Sequence, residues 1–512
     1  MSTVSRIVSG SVASWAKIGV TITSQMAIVP LYLTYWSAKT YGVSLAVLAL
    51  TNLITTLDFG HQTYLQFEFL RCGKENRAEL SRYLWSGVFM GIAICLTQLT
   101  IIGLILTTGL LPHILDNANN LDSQTIHDAG ILLVLQGCAW FISTSIPGLF
   151  QRALAPFGYY PRMSWWNFLY ALISTFAPVI AVMSGAGLLE TGMVSFGGSL
   201  LYSSLLYRDM LRLLRKEDVS FRSPDWSLGF RNFLSSLTLS AKSLIESMRH
   251  QGVRLVLVPL LGANGLAAFS TMRTGANAAL QGLNTLTNPL MPELMRFLHQ
   301  RDQARSEVAF GTVWVVVVSV MAPAVIVMQA VIEPLFTVWT RGQIAFDPLL
   351  FAVLSLSILV YAAAQPAMAV IVGNNLLKPQ LRLSITAALV VVGGILLLVP
   401  MIGMLGGGIA LLSAEVVATI GYRRIAQRWL QENSMEWPKY PAGIATMSVW
   451  IAAVGMGGMI LFPNAKIAVL AVSLLALIWN AWRYWNALPP LATERVRKML
   501  GNVPGVRKIL TT

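Results

Sequence analysis

The sequence predicts an all-α, polytopic membrane protein with about 14 transmembrane helices. Three observations carry that reading. Of the 512 residues, 55% are hydrophobic and only 11% charged, less than half the roughly 25% usual in soluble domains. Apolar runs of about 20 residues, long enough to cross a bilayer, recur from one end to the other. These runs are continuous rather than alternating, which argues against a β-barrel.

The predicted spans lie at about 14–35, 41–69, 83–108, 128–150, 164–185, 190–207, 232–258, 264–290, 308–332, 349–374, 382–402, 404–422, 442–463 and 466–487. The first begins near Trp15 and is too long for a signal-peptide core, so it stays as a helix. The sixth is short and Gly-rich, which leaves 13 spans open. One set of connections, from RCGKENRAELSR to the tail ERVRKMLGNVPGVRKIL, holds about 28 Lys and Arg with the N-terminus. The alternate set holds Lys39, Arg341 and Lys466. The positive-inside rule then puts both termini and the basic loops in the cytoplasm.

The net charge of +14 is therefore a signal of topology and of attraction to anionic headgroups, and no nucleic-acid partner is expected. The Lys/Arg-rich RDMLRLLRKED and the tail read most simply as surface helices at the inner headgroups. Cys72, Cys95 and Cys138 are too scattered for a disulfide framework or a metal site. No zinc motif, P-loop or nucleophile elbow occurs, so neither an enzyme nor a cofactor is expected.

An internal repeat is visible. Span one ends in IVPLYL and is followed by YG; span seven ends in LVPLLG and is followed by NG. With the basic linker near 208–231, this suggests two pseudo-symmetric six-helix lobes, 1–220 and 221–435. An extra helix pair at 436–488 and a cytoplasmic tail at 489–512 follow. Parallel repeats of this kind are a transporter architecture.

Residues three, four and seven apart share a helix face. Span seven then carries Ser235, Thr238, Lys242, Glu246 and Arg249 on one stripe, flanked by His250 and Arg254. Span eight carries Arg273, Asn277, Gln281, Asn284 and Asn288. Span one carries Ser14, Lys17, Thr21 and Ser24, and span two Thr51, Thr55, Asp58 and Gln62. Lys17 and Lys242 lie near the inner ends of their spans, where a lysine also snorkels to the headgroups. Arg249, Arg254, Arg273 and Glu415 lie nearer mid-depth, where a charge costs roughly 2.5–3.5 kcal/mol on insertion scales. Local pairing of Glu246 with Lys242 or Arg249 absorbs one acid and leaves a surplus of positive charge. That surplus predicts a water-filled cationic cavity for an anionic ligand, with phosphate suited to the arginine fork.

The segment VPLYLTYWSAKTYGVSLAVLALTNLITTLDFGHQTYLQFEFLR resembles the N-terminus of bacterial polysaccharide and O-antigen flippases, a branch of the multidrug/oligosaccharidyl-lipid/polysaccharide exporter superfamily. VPLYL, Tyr41-Gly42 and Asp58-Phe59-Gly60 carry the likeness, which is strong over about the first 80 residues. Ser44 departs from it, where many relatives have an aromatic, and so does the count of about 14 spans where many have twelve. The extra pair makes lipid II flippases a further comparison. The resemblance implies transfer of a polyprenyl-pyrophosphate-linked oligosaccharide to the outer leaflet of the bacterial inner membrane by alternating access. It implies an anionic head held by Arg249, Arg273, Arg254, Lys17 and Lys242, and sugars held by Asn277, Gln281, Asn284 and Asn288. Candidates for coupling to H+ or Na+ are Asp58, Glu246, Glu415, His61 and His250. Other implied partners are membrane lipids and membrane proteins of polysaccharide assembly.

Two readings compete. A cation-coupled drug exporter would favour acids over arginines at mid-membrane. A glycan polymerase or ligase would need catalytic residues on outer loops, and Asp116, Asp122, His127 and Asp128 sit on a short one.

Overall fold

The computed structural model describes residues 3–115, 121–248, 252–287, 294, 297, 298, 300–374 and 376–488. Nearly all of them are helical, and no strand occurs among them. The helices are α1 (Thr3–Tyr35), α2 (Ala38–Cys72), α3 (Arg77–Thr107), α4 (Leu110–Leu115), α5 (Ser123–Trp140), α6 (Ile146–Ala153), α7 (Tyr160–Met183), α8 (Leu188–Lys216), α9 (Trp226–Ser247) and α10 (Val253–Thr287). Then follow α11 (Gln303–Val316), α12 (Ala322–Trp339), α13 (Pro348–Gly373), α14 (Leu377–Ile402), α15 (Met404–Glu432), α16 (Lys439–Leu461) and α17 (Lys466–Asn486). Among the described residues, 11 helices are long and apolar enough to cross a membrane. The predicted first, sixth and seventh spans fall on α1, α8 and α9, which are not among those 11, so the figure of 14 is not established.

The chain forms two compact units. The first comprises Met1–Ser270 with Trp339–Ile344; the second comprises Thr271–Val338 with Ala345–Thr512.

In the first unit, α2 is the central helix and packs against α3, α5, α6 and α9. Its start is fixed by Ser37, whose hydroxyl accepts from the Thr40 N–H at 3.1 Å. It ends at Gly73, whose left-handed φ of 67° lets its N–H return to Phe69. Asn76, Asp122 and Asp225 cap α3, α5 and α9 in the same way. A π-helical turn, Phe141–Ser145, joins α5 to α6 just before Pro147, which cannot donate to the helix ladder. Leu65, Leu80, Leu84, Leu149, Leu206 and Met210 make a fully buried core.

The stretch RDMLRLLRKED is the end of α8 and not a separate surface helix. Met210, Leu213 and Leu214 enter the core, while Arg208, Arg212, Arg215 and Lys216 stay exposed. Its acids clamp it down. Asp209 accepts from Arg162 at 2.8 and 2.5 Å and from the Trp166 indole at 2.8 Å. Asp218, just past the helix end, pairs with Arg77 at 2.7 Å; beyond the stretch, Asp225 at the start of α9 pairs with Arg82 at 2.5 Å.

In the second unit, α11 and α12 are likewise joined by a π turn, Val317–Met321, two residues before Pro323. The buried Trp314 donates to the Ala363 carbonyl of α13 at 3.0 Å. The C-terminal pair α16–α17 is closed by Asn480, which donates to Ile444 O at 2.9 Å and Ser448 Oγ at 2.8 Å. It is tied to α11 by the Tyr484 hydroxyl, which donates to Gly311 O at 3.0 Å.

Candidate transport site

The polar stripe of α2 is buried in protein. Thr51, Thr55, Asp58 and Gln62 are all buried, and Asp58 and His61 have no exposed surface. Neighbouring helices supply the partners. Thr51 donates to Gln136 of α5 at 2.7 Å, and Gln98 of α3 donates to Ile54 O at 3.2 Å. Further along α2 a chain of contacts runs from one charge to another. Arg152 of α6 donates to Gln62 Oε1 at 2.5 Å, and Gln62 Nε2 donates to Asp58 Oδ2 at 2.5 Å. The amide thus relays a half-buried guanidinium to a buried carboxylate, and without that compensation the carboxylate would be costly.

Around this chain, His61 Nε2 meets Gly87 O at 3.1 Å, and Cys95 donates to Ser145 Oγ at 3.1 Å. Ser145 also approaches the Asp58 carboxylate. Asp58 Oδ1, His61 Nδ1 and Arg152 Nε are buried with no hydrogen-bond partner. The cluster therefore keeps spare donor and acceptor capacity beside a carboxylate and an imidazole, as a protonation site requires.

Arg152 escaped the sequence reading because QRALAPFGYYPRM reads as a basic cytoplasmic connection. The available signal was the spacing of Ser145, Gly148 and Arg152, which share a face if span four continues as a helix.

The other candidates are spread over both units. Arg254 is half-buried in the first turn of α10, and Lys17 is exposed on α1, both in the first unit. Arg273 and Asn277 are half-buried on α10, and Glu415 on α15, all in the second unit. Lys242, Glu246, Gln281 and Asn284 lie on described helices, but their side chains are outside the description, as are Arg249, His250 and Asn288 altogether. On α9 the packed face holds Asn232, Ser236 and Ser240, all buried. Ser235 and Thr238, on the stripe that spacing assigns to Lys242 and Arg249, are exposed. Among the described residues, no group of three or more His, Cys, Asp or Glu side chains is placed to hold a metal ion.

No family model matches the chain, and no curated protein matches it in sequence. Solved structures match in fold. An inward-facing multidrug resistance MATE family transporter of the MOP superfamily aligns with a TM-score of 0.60 at 13% identity, covering 79% of this chain and 94% of its own. The lipid II flippase MurJ, in an inward closed conformation, also aligns with a TM-score of 0.60, at 12% identity, covering 93% of this chain and 97% of its own. A MOP superfamily transporter from Pyrococcus furiosus, described as having a binding pocket of reversed polarity, aligns with a TM-score of 0.54 at 14% identity, covering 83% and 95%. The chain therefore has the helical fold of MOP-superfamily transporters and flippases.

Proposed function

We propose that this chain is a flippase. In this reading it carries a polyprenyl-pyrophosphate-linked oligosaccharide, such as an O-antigen or other surface-polysaccharide repeat unit, from the inner to the outer leaflet of a bacterial inner membrane. The observation that carries the reading is the surplus of arginine at membrane depth. Arg249, Arg254 and Arg273 stand within two successive predicted spans whose one acid is Glu246. Such charges are tolerated against protein or water rather than lipid, and they select an anionic head such as pyrophosphate. The open Ser235–Thr238 face of α9 accords with a hydrated stripe.

The fold supports a lipid-linked cargo as well. The MurJ match covers 93% of this chain, against 79% and 82% for two multidrug resistance MATE structures. Alternating access of two lobes, with both termini in the cytoplasm, completes the scheme. Asp58 and His61 are the coupling pair in this reading. The Arg152 guanidinium already balances that site, which favours H+ over Na+ as the coupling ion.

Replacing Arg249 and Arg273 together by glutamine is expected to abolish surface polysaccharide in cells while leaving membrane insertion intact. Normal surface polysaccharide in that variant would end the proposal. Export of cationic dyes by vesicles, with no glycan phenotype, would put the drug-exporter reading in its place.

A further inference from the structure

Residues Trp339–Ile344 belong to the first unit although the chain on both sides of them belongs to the second. They reach α1, and they bind it where its backbone lacks partners. In a helix the Met26 carbonyl is served by the N–H four residues on, but that residue is Pro30, which has none. The Trp339 indole N–H donates to Met26 O at 2.6 Å and fills the vacancy. Leu33 is among the last four residues of α1, whose carbonyls have no helical donor. There the Gln343 side-chain amide donates to Leu33 O.

Two side chains of one short turn thus serve two orphaned carbonyls, seven residues apart, on one helix. The turn is shaped for this by two successive left-handed residues, Arg341 (φ 55°) and Gly342 (φ 70°), of which the arginine is a costly choice. Thr340 and Ile344 are buried beneath it. The contact is also well placed to control α1. Val29, Tyr32, Leu33 and Trp36 are buried, whereas Lys17, Gly19, Gln25 and Met26 are exposed. α1 packs along α7, and its last third is tied further by the Trp36 indole, which donates to Ala186 O at 2.9 Å, and by this turn. The charge split puts the turn on the outer side of the membrane.

We infer that Trp339–Ile344 is a detachable outer latch on α1, which opens and recloses in the working protein and so gates the mobility of the last third of that helix. Its two side-chain bonds to α1 are polar, and the one to Met26 is exposed, the pattern of a contact that opens locally at low free energy. The inference does not depend on the cargo.

Amide hydrogen exchange of the protein in nanodiscs tests it. Trp339→Phe keeps the ring and removes the donor, and Gln343→Met removes the second donor at an exposed side chain. Each is expected to speed exchange in the segment 27–36 at least threefold, and Trp450→Phe, at a tryptophan 65% exposed on α16, is expected to leave it unchanged. In a background with no other cysteine, a bis-maleimide tether joining Tyr35→Cys to Arg341→Cys is expected to slow exchange of that segment below the untethered protein. Unchanged exchange in both donor variants would overturn the latch, as would an equal rise in the segment 439–461 of the second unit. A tether that slows nothing would show that the turn never lets go, and would overturn it too.

Discussion

Arg152, Gln62 and Asp58 act as one unit, because the amide in the middle accepts from the guanidinium and donates to the carboxylate. Arg152→Leu removes the donor and leaves Gln62 and Asp58 buried without it. Losing a hydrogen bond to a charged group in such a place costs about 2–3 kcal/mol, so thermal unfolding in detergent is expected to shift to lower temperature by a matching amount. Asp58→Asn added to Arg152→Leu is expected to cost less than the sum of the two single changes, because they share the chain of contacts. Additive losses would show that the two residues act separately. The α2 half of this cluster was legible, since Thr51, Thr55, Asp58 and Gln62 fall at helical spacing. The Arg152 half was not. Whether a basic residue at the end of a span belongs to the helix or to the loop depends on where the helix stops, and composition does not mark that point.

Among the elements, the crossing of α2 and α9 turns on Gly60. A Cβ at that position would lie 2.2 Å from the Ser240 backbone nitrogen, so the two backbones meet only because the side chain is absent. Gly42 meets the Ala263 carbonyl in the same way, with a Cβ distance of 1.9 Å. Gly60→Ala is expected to destabilise by about 1–3 kcal/mol through overpacking. Gly19→Ala, with nothing within 4 Å, is expected to be neutral or slightly stabilising in a helix. Equal melting temperatures for the two variants would refute the close crossing. The glycine of Asp58-Phe59-Gly60 thus has a packing reason that the motif alone did not reveal.

The link between α8 and α9 carries a pH signature. The Arg82 guanidinium, helped by the Leu228 N–H, holds the Asp225 carboxyl below the usual carboxylate range. A lowered folded-state value means stability that is complete above the unfolded value, near 4, and lost as pH falls through the folded one. The gap in unfolding temperature between the native protein and Asp225→Asn is therefore expected to stay constant from about pH 8 to 6 and to shrink below about pH 4. The sequence read this stretch as a surface helix because its basic residues outnumber its acids. Its apolar face enters the core and its acids reach Arg162 and Arg77, partners too distant in sequence to be seen in a local pattern.

For the whole molecule, hydropathy was enough to predict an all-helical membrane protein, because a bilayer leaves few ways to satisfy a backbone. It did not fix the number of spans, since α1, α8 and α9 are not among the 11 helices that length and apolarity mark out within the described residues. The cargo rests on arginines held within an apolar chain. A reconstituted translocation assay tests that most directly, using proteoliposomes that contain a fluorescent polyprenyl-pyrophosphate-linked oligosaccharide and following its exposure in the opposite leaflet. The native protein is expected to move the lipid, and the Arg249→Gln/Arg273→Gln variant, equally well inserted, to move it at least tenfold more slowly. Equal rates for the two, or no movement of the lipid by the native protein, would contradict the account.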